Sequence, residues 1–358
     1  MSGRRNNLDT ERNLTFDALR ICAMIMVTLL HITGHGLANA DIVTLSGTYW
    51  IVLILNTFSL VAVNCFVLIT GYFLSSGTMK TQKLIMLWLQ VWMYSVGVYL
   101  TLCMLPSTGV EFGFKTLIRC GLPILSNQYW FFTCYALLYL ISPLLNILIQ
   151  AVDKAKYQKM LGLLLVLFCA IPSVNIFGDG FGENAGYSLT WFIVLYLVAG
   201  YIRRYPISIR IKPMLVYSGS CLILCAIRLI GDVTDSIVQT AAYLQMNYNG
   251  PLVFLASVSL LLHCIASNGN FRKPMGSVVK TISPLVFGVY LLHDHRIISD
   301  IIWNDLVKLP EVANQPISLI IRITVTLVAL FVCGIAVEFA RSSVVNGIGK
   351  LVKRIIKR

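Results

Sequence analysis

The chain has 358 residues, of which 57% are hydrophobic and only 12% charged, against roughly 25% charged in soluble domains, so an ordinary soluble globular protein is excluded. At about 20 apolar residues per membrane-crossing helix, this length accommodates some ten spans with short loops and little else. The 28 Lys and Arg outnumber the 15 Asp and Glu, but they are divided among separate loops and form no single face, which argues against nucleic acid and for the cytoplasmic loops of a membrane protein.

Arg4, Arg5 and Arg12 precede the first apolar run in the manner of a secretory leader. Asp17 and Arg20 sit inside that run, however, and no small-residue cleavage site follows, so the first helix is expected to be retained. Apolar runs at about 14–37, 48–75, 82–105, 129–149, 158–177, 187–202, 212–231, 250–267, 281–298 and 316–340 predict an all-α, polytopic integral membrane protein with about ten transmembrane helices. The connections carry turn chemistry, as in Ser75-Ser76-Gly77, Pro106-Ser107-Thr108-Gly109, Gly178-Asp179-Gly180 and Asn247-Tyr248-Asn249-Gly250-Pro251. No interdomain linker or internal repeat stands out.

Basic residues occupy the N-terminus and every second loop: Lys80 and Lys83; Lys154, Lys156 and Lys159; Arg203, Arg204, Arg210 and Lys212; Arg272, Lys273 and Lys280. The alternate loops hold Asp41; Glu111 with Lys115 and Arg119; Asp179 and Glu183; Asp232 and Asp235; and Asp300, Asp305 and Glu311 with Lys308. Because Lys and Arg are retained inside, both termini are expected in the cytoplasm, with the chain multi-pass in the plasma or inner membrane. Residues 1–345 read as one ten-helix unit. Residues 346–358 read as a basic tail, with apolar positions 348, 351, 352, 355 and 356 at helical spacing; an amphipathic helix on the inner leaflet and a disordered topogenic tail are both open.

The ten cysteines are scattered, mostly within apolar runs, and read as small hydrophobes. Cys221 and Cys225 share a helical face without further ligands nearby, so no metal site is expected. Ionisable residues inside spans are the better functional candidates, because each is costly to place in lipid. The first helix holds Asp17, Arg20, His31 and His35. Eleven positions separate Arg20 from His31, which at 100° per residue returns to about 20° from the same face, roughly 16 Å along the axis. His35 extends this polar stripe by one turn. A second cluster, Tyr290, His293, Asp294, His295 and Arg296, lies near the outer end of the ninth run, and reads either as a polar binding run or as an interfacial belt. His263 stands alone and reads as structural, while Arg228, Arg322, Glu338 and Arg341 near helix ends are most simply read as snorkelling or, for Glu338 with Arg341, as a pair.

The segment Phe16-Asp17-Ala18-Leu19-Arg20, followed ten residues later by His31, resembles the first-helix signature of the membrane acyltransferase 3 family. Asn64 to Leu74, containing Thr70-Gly71-Tyr72, is similar to the family's second-helix Ser-Gly-Tyr/Phe pattern, with Thr70 in place of the Ser. Gln128-Tyr129-Trp130-Phe131-Phe132, running on to Pro143, resembles its mid-chain Trp-Phe…Pro segment, and Gly288 to His293 its late Tyr-Leu-x-His segment. The resemblance implies transfer of an acyl group, usually acetyl from acetyl-CoA, to a hydroxyl of a cell-envelope carbohydrate. Many members carry a further soluble domain after the helices. None is expected here, so the helical unit would hand the acyl group to its acceptor directly or pass it to a separate protein.

In that reading His31 is the candidate general base, an imidazole being suited to taking a hydroxyl proton near pH 7. Arg20 is a candidate catalytic or coenzyme-binding cation, oriented by Asp17 one turn before it. His293 is a candidate to share proton transfer, with His35, Tyr290, Asp294 and Arg296 binding the acceptor. The expected partners are an acyl-CoA, a carbohydrate and the lipid bilayer, with an oligomer left open. The competing reading is a transporter or flippase for a glycan or small solute, which a polar stripe through ten helices would also suit. For topology, cysteines placed at Lys156 or Arg204 are expected to resist an impermeant thiol reagent on whole cells and to react after lysis; labelling without lysis overturns the map.

Overall fold

The computed structural model describes residues 13–178, 184–234, 236–267, 269 and 271–356, with side chains described as far as residue 347. Arg4, Arg5, Arg12, Asp179, Glu183 and Asp235, which entered the charge map, lie outside the described residues, as do the side chains of the tail. The helices are α1 (Leu14–Gly34), α2 (Gly47–Ser59), α3 (Ala62–Leu74), α4 (Thr81–Met104), α5 (Phe114–Gly121), α6 (Trp130–Ala151), α7 (Lys154–Leu165) and α8 (Ile171–Val174). They continue with α9 (Leu189–Arg204), α10 (Pro213–Asp232), α11 (Ser236–Gln245), α12 (Pro251–Ala266), α13 (Lys273–Ile282), α14 (Val286–His293), α15 (Arg296–Asp300) and α16 (Pro316–Ile356). No strand occurs among the described residues.

Helix starts follow local chemistry. Asn13, Ser46, Asp153 and Ser188 cap α1, α2, α7 and α9 through side-chain oxygens that accept from the backbone N–H of Thr15, Tyr49, Lys156 and Trp191. Pro213 and Pro251 stand at the first positions of α10 and α12, where a missing N–H costs nothing. A π-helical turn at Val166–Ala170 joins α7 to α8 just before Pro172, which cannot donate into a regular ladder.

Among the described residues, eight helical segments are long and apolar enough to cross a membrane, the second combining α2 and α3, the fifth α7 and α8, and another α13 and α14. The runs predicted at 187–202 and 250–267 are α9 and α12, of 16 residues each, shorter than the roughly 20 a bilayer asks for. Both are buried among other helices: α9 packs on α3 and α6, and α12 on α10 and α3. Contact with protein thus replaces contact with lipid along them. The tail is not set apart from the last span in its backbone, which is helical without interruption from Pro316 to Ile356.

α3 and α9 meet at the centre of the core. Gly71 permits this, because a Cβ there would lie 2.9 Å from the Tyr196 Cα and 2.9 Å from the Ala199 Cβ. Two buried amides are paired across helices. Asn64 donates to the Tyr248 carbonyl (2.8 Å) and the Ser257 hydroxyl (3.2 Å) and accepts from the Trp191 indole N–H (3.0 Å). Asn146 accepts from the Tyr196 hydroxyl at 2.7 Å and donates to the Leu74 carbonyl at 3.0 Å. All ten cysteines are free thiols. Gly71→Val is expected to destabilise the protein by about 1–3 kcal/mol through overpacking; thermal unfolding in detergent measures it, and an unchanged midpoint would place the α3–α9 contact elsewhere.

Candidate functional site

The site begins with the period of α1. Arg20, Met24, Val27 and His31 fall within about 60° of one another around the helix, so one face runs from the end near the basic loops to the end near the acidic ones. At the latter end, α14 stops with His293, and Asp294 caps it. The packing of α14 on α1 brings this cap against His31.

His31 Nδ1 lies 3.0 Å from His293 Nε2, and His293 Nδ1 lies 2.6 Å from the Val289 carbonyl oxygen. A carbonyl can only accept, so His293 Nδ1 carries a proton and donates it. In the neutral ring Nε2 then holds a lone pair, which accepts from His31 Nδ1–H, and the lone pair of His31 is left on Nε2. One backbone carbonyl thereby sets the tautomers of two histidines. His293 is 1% exposed. Asp294 places Oδ1 3.6 Å from His31 Nδ1.

A cavity of about 640 Å³ lies above His31, lined by His35, Asp294 and Arg296 together with Asn56, Gln128 and Asp300. Its aromatic wall is Trp130, Tyr187 and Tyr248: the Trp130 ring is 4.4 Å from that of Tyr187 and near-parallel to Tyr248 at 6.1 Å, and Tyr187 and Tyr248 are 4.7 Å apart. A second, narrow chamber of about 40 Å³ lies between His31 and the α1 face below it, lined by Met24, Val27, Phe66, Phe131, Phe287 and Tyr290. His31, Trp130 and Tyr248 border both spaces. The buried Tyr290 hydroxyl has no hydrogen-bond partner among the described residues.

Of the residues singled out from the sequence, His31, His35, His293, Asp294 and Arg296 converge on one place. Tyr290 lines the narrow chamber, with its ring 6.4 Å from that of His31. Asp17 and Arg20 form a separate unit toward the other end of α1. Buried Asp17 accepts from Arg20 Nη1 at 2.9 Å and from the Ser283 hydroxyl at 3.0 Å, while the Arg20 side chain keeps 37% exposure. His295 turns away and bonds the Ser95 carbonyl at 3.1 Å. The ligand atoms of His31, His35 and Asp294 lie within 4.8 Å of one another, so these three could hold a metal ion, a grouping that the sequence pattern left unnoticed.

Sequence reasoning also missed the cavity wall. Gln128, Tyr187 and Tyr248 lie in loops, and the signal that could have found them was aromatic residues among Asn and Gly at helix ends facing the acidic loops. A family model described as an acyltransferase domain matches residues 13–338. No curated protein and no solved structure matches the chain.

Proposed function

Because this multi-pass membrane protein belongs to the acyltransferase 3 family, we propose that it moves an acetyl group from acetyl-CoA, bound from the cytoplasmic side, to a hydroxyl of a cell-envelope carbohydrate entering from the opposite side of the cell membrane. The observation that carries this reading is the meeting of two unlike spaces at His31. The wide cavity suits a sugar: stacked aromatic faces take the C–H faces of a pyranose, while Asn56, Gln128 and Asp300 pair with its hydroxyls. The apolar chamber suits a short acyl group, since it has room on the order of three waters and no long chain fits.

The chemistry runs through His31. Its Nε2 lone pair takes the proton of the acceptor hydroxyl as the oxygen attacks the thioester carbonyl carbon. The carbonyl oxygen becomes negative, and the Tyr290 hydroxyl, lacking another partner, is the donor suited to meet it. The C–S bond then breaks, the C–O bond of the ester remains, and the proton held by His31 passes to the departing thiolate. His293 acts through His31 as a positioning residue, and Asp294 favours the transient imidazolium. Arg20, held by Asp17, stands at the lower end of the same face, where a guanidinium suits the polar arm or phosphates of the coenzyme. The catalytic assignment is thus His31 with His293 behind it, and Arg20 serves donor binding.

With purified protein, labelled acetyl-CoA and a glycan acceptor, His31→Ala is expected to lower kcat about 10²–10⁴-fold and Tyr290→Phe about 10²-fold. Arg20→Lys is expected to raise KM for acetyl-CoA, because Lys keeps the charge and loses the planar fork. Near-normal kcat in His31→Ala removes it from the mechanism, and a normal KM in Arg20→Lys removes Arg20 from donor binding.

A further inference from the structure

We propose that the acceptor cavity continues into a second chamber that binds a neighbouring, uncharged sugar ring, so that the enzyme acts on a chain of sugars in preference to a single one. The inference rests on the carbohydrate reading and deepens it. The chamber, about 340 Å³, lies beside the first, and Asn56 and Met246 line both. Each falls within the ~300–1,000 Å³ typical of small-molecule sites. Its remaining wall includes Thr44, Tyr49, Arg228, Asp232, Gln239 and Tyr243.

The polar wall is a closed network joining three helices. Asp232, the last residue of α10, accepts from Arg228 Nε (2.8 Å), the Tyr49 hydroxyl of α2 (2.9 Å) and the Tyr243 hydroxyl of α11 (3.2 Å). Arg228 also donates from Nη2 to the Tyr243 hydroxyl (2.6 Å), and its guanidinium lies 3.7 Å from the Tyr243 ring centre. Helix-end snorkelling does not describe this arginine, which is turned into the protein and paired.

The pairing decides what the chamber takes. Asp232 neutralises Arg228, so no uncompensated charge is left to select a phosphate or carboxylate. An acyl chain would strip water from the Asp232, Arg228 and Tyr243 groups without replacing it. A neutral polyol can do so: the amides of Asn56 and Gln239 and the Thr44 hydroxyl each offer donors and acceptors, and Gln239 is exposed with no hydrogen-bond partner among the described residues. Continuity through Asn56 then puts this ring next to the one presented to His31.

The test compares neutral hexosides as methyl glycosides and as linear trisaccharides of the same sugar, with purified protein and labelled acetyl-CoA. The unsubstituted enzyme is expected to show a higher kcat/KM for the trisaccharide. Gln239→Trp, which fills the chamber from an exposed position, and Tyr243→Ala are each expected to lower the trisaccharide-to-monosaccharide ratio about tenfold through KM, the worth of one or two net hydrogen bonds. A variant that is merely misassembled lowers both rates and leaves the ratio unmoved. An unchanged ratio in both active variants, or a ratio of one in the unsubstituted enzyme, overturns the second chamber alone. Acetylation of no hexoside in either form overturns the carbohydrate reading together with it.

Discussion

Inside a bilayer a polar group that finds no partner in the protein finds none at all, because hydrocarbon supplies neither donors nor acceptors. The histidine pair of this protein is organised by that constraint. His293 is buried on α14, and its Nδ1 bonds the Val289 carbonyl four residues earlier on the same helix. That bond leaves its other nitrogen turned to His31, and His31 is thereby held with its lone pair on the nitrogen away from His293. A histidine of defined tautomer results from ordinary helix-end satisfaction, with no strained geometry required.

The rest of the bundle brings this pair to the border between two unlike spaces. α2 and α3 are separate helices within one apolar run, broken at Leu60 and Val61, and Leu60 lines the main cavity at the break. Just below it Asn64 ties α3 to α9 through Trp191, to α12 through Ser257 and to the loop carbonyl of Tyr248. The same amide that stitches the core therefore fixes one ring of the aromatic wall. Membership of the acyltransferase family also decides between enzyme and transporter in favour of an enzyme.

Three ion pairs, Asp17–Arg20, Arg228–Asp232 and Glu338–Arg341, join residues three or four apart on single helices. Such spacing lets each charge be neutralised before tertiary packing, which lowers the cost of bringing it into the protein. The pairs differ in what surrounds them. Glu338–Arg341 lies at 4% and 16% side-chain exposure, whereas the Arg20 and Arg228 side chains retain 37% and 29% exposure. Accessibility, more than charge, separates those with something left to bind.

Everything that depends on one helix was legible in the chain itself: the membrane class from composition, the line from Arg20 to His31 from a period of 3.6 residues, and the alternation of basic loops. The second cluster was legible as a stretch, 290–296, but not in its division of labour. Only the packing of α14 on α1 decided that His293 faces His31, that His295 turns to Ser95 and that Tyr290 lines the narrow chamber beside His31. The aromatic wall and the Arg228 network join residues from loops and helices far apart in sequence, and no local period relates them. The reason is general: a helix's hydrogen bonds are made within itself, so its faces follow from sequence, whereas contact between faces depends on how every other helix fills the space around them.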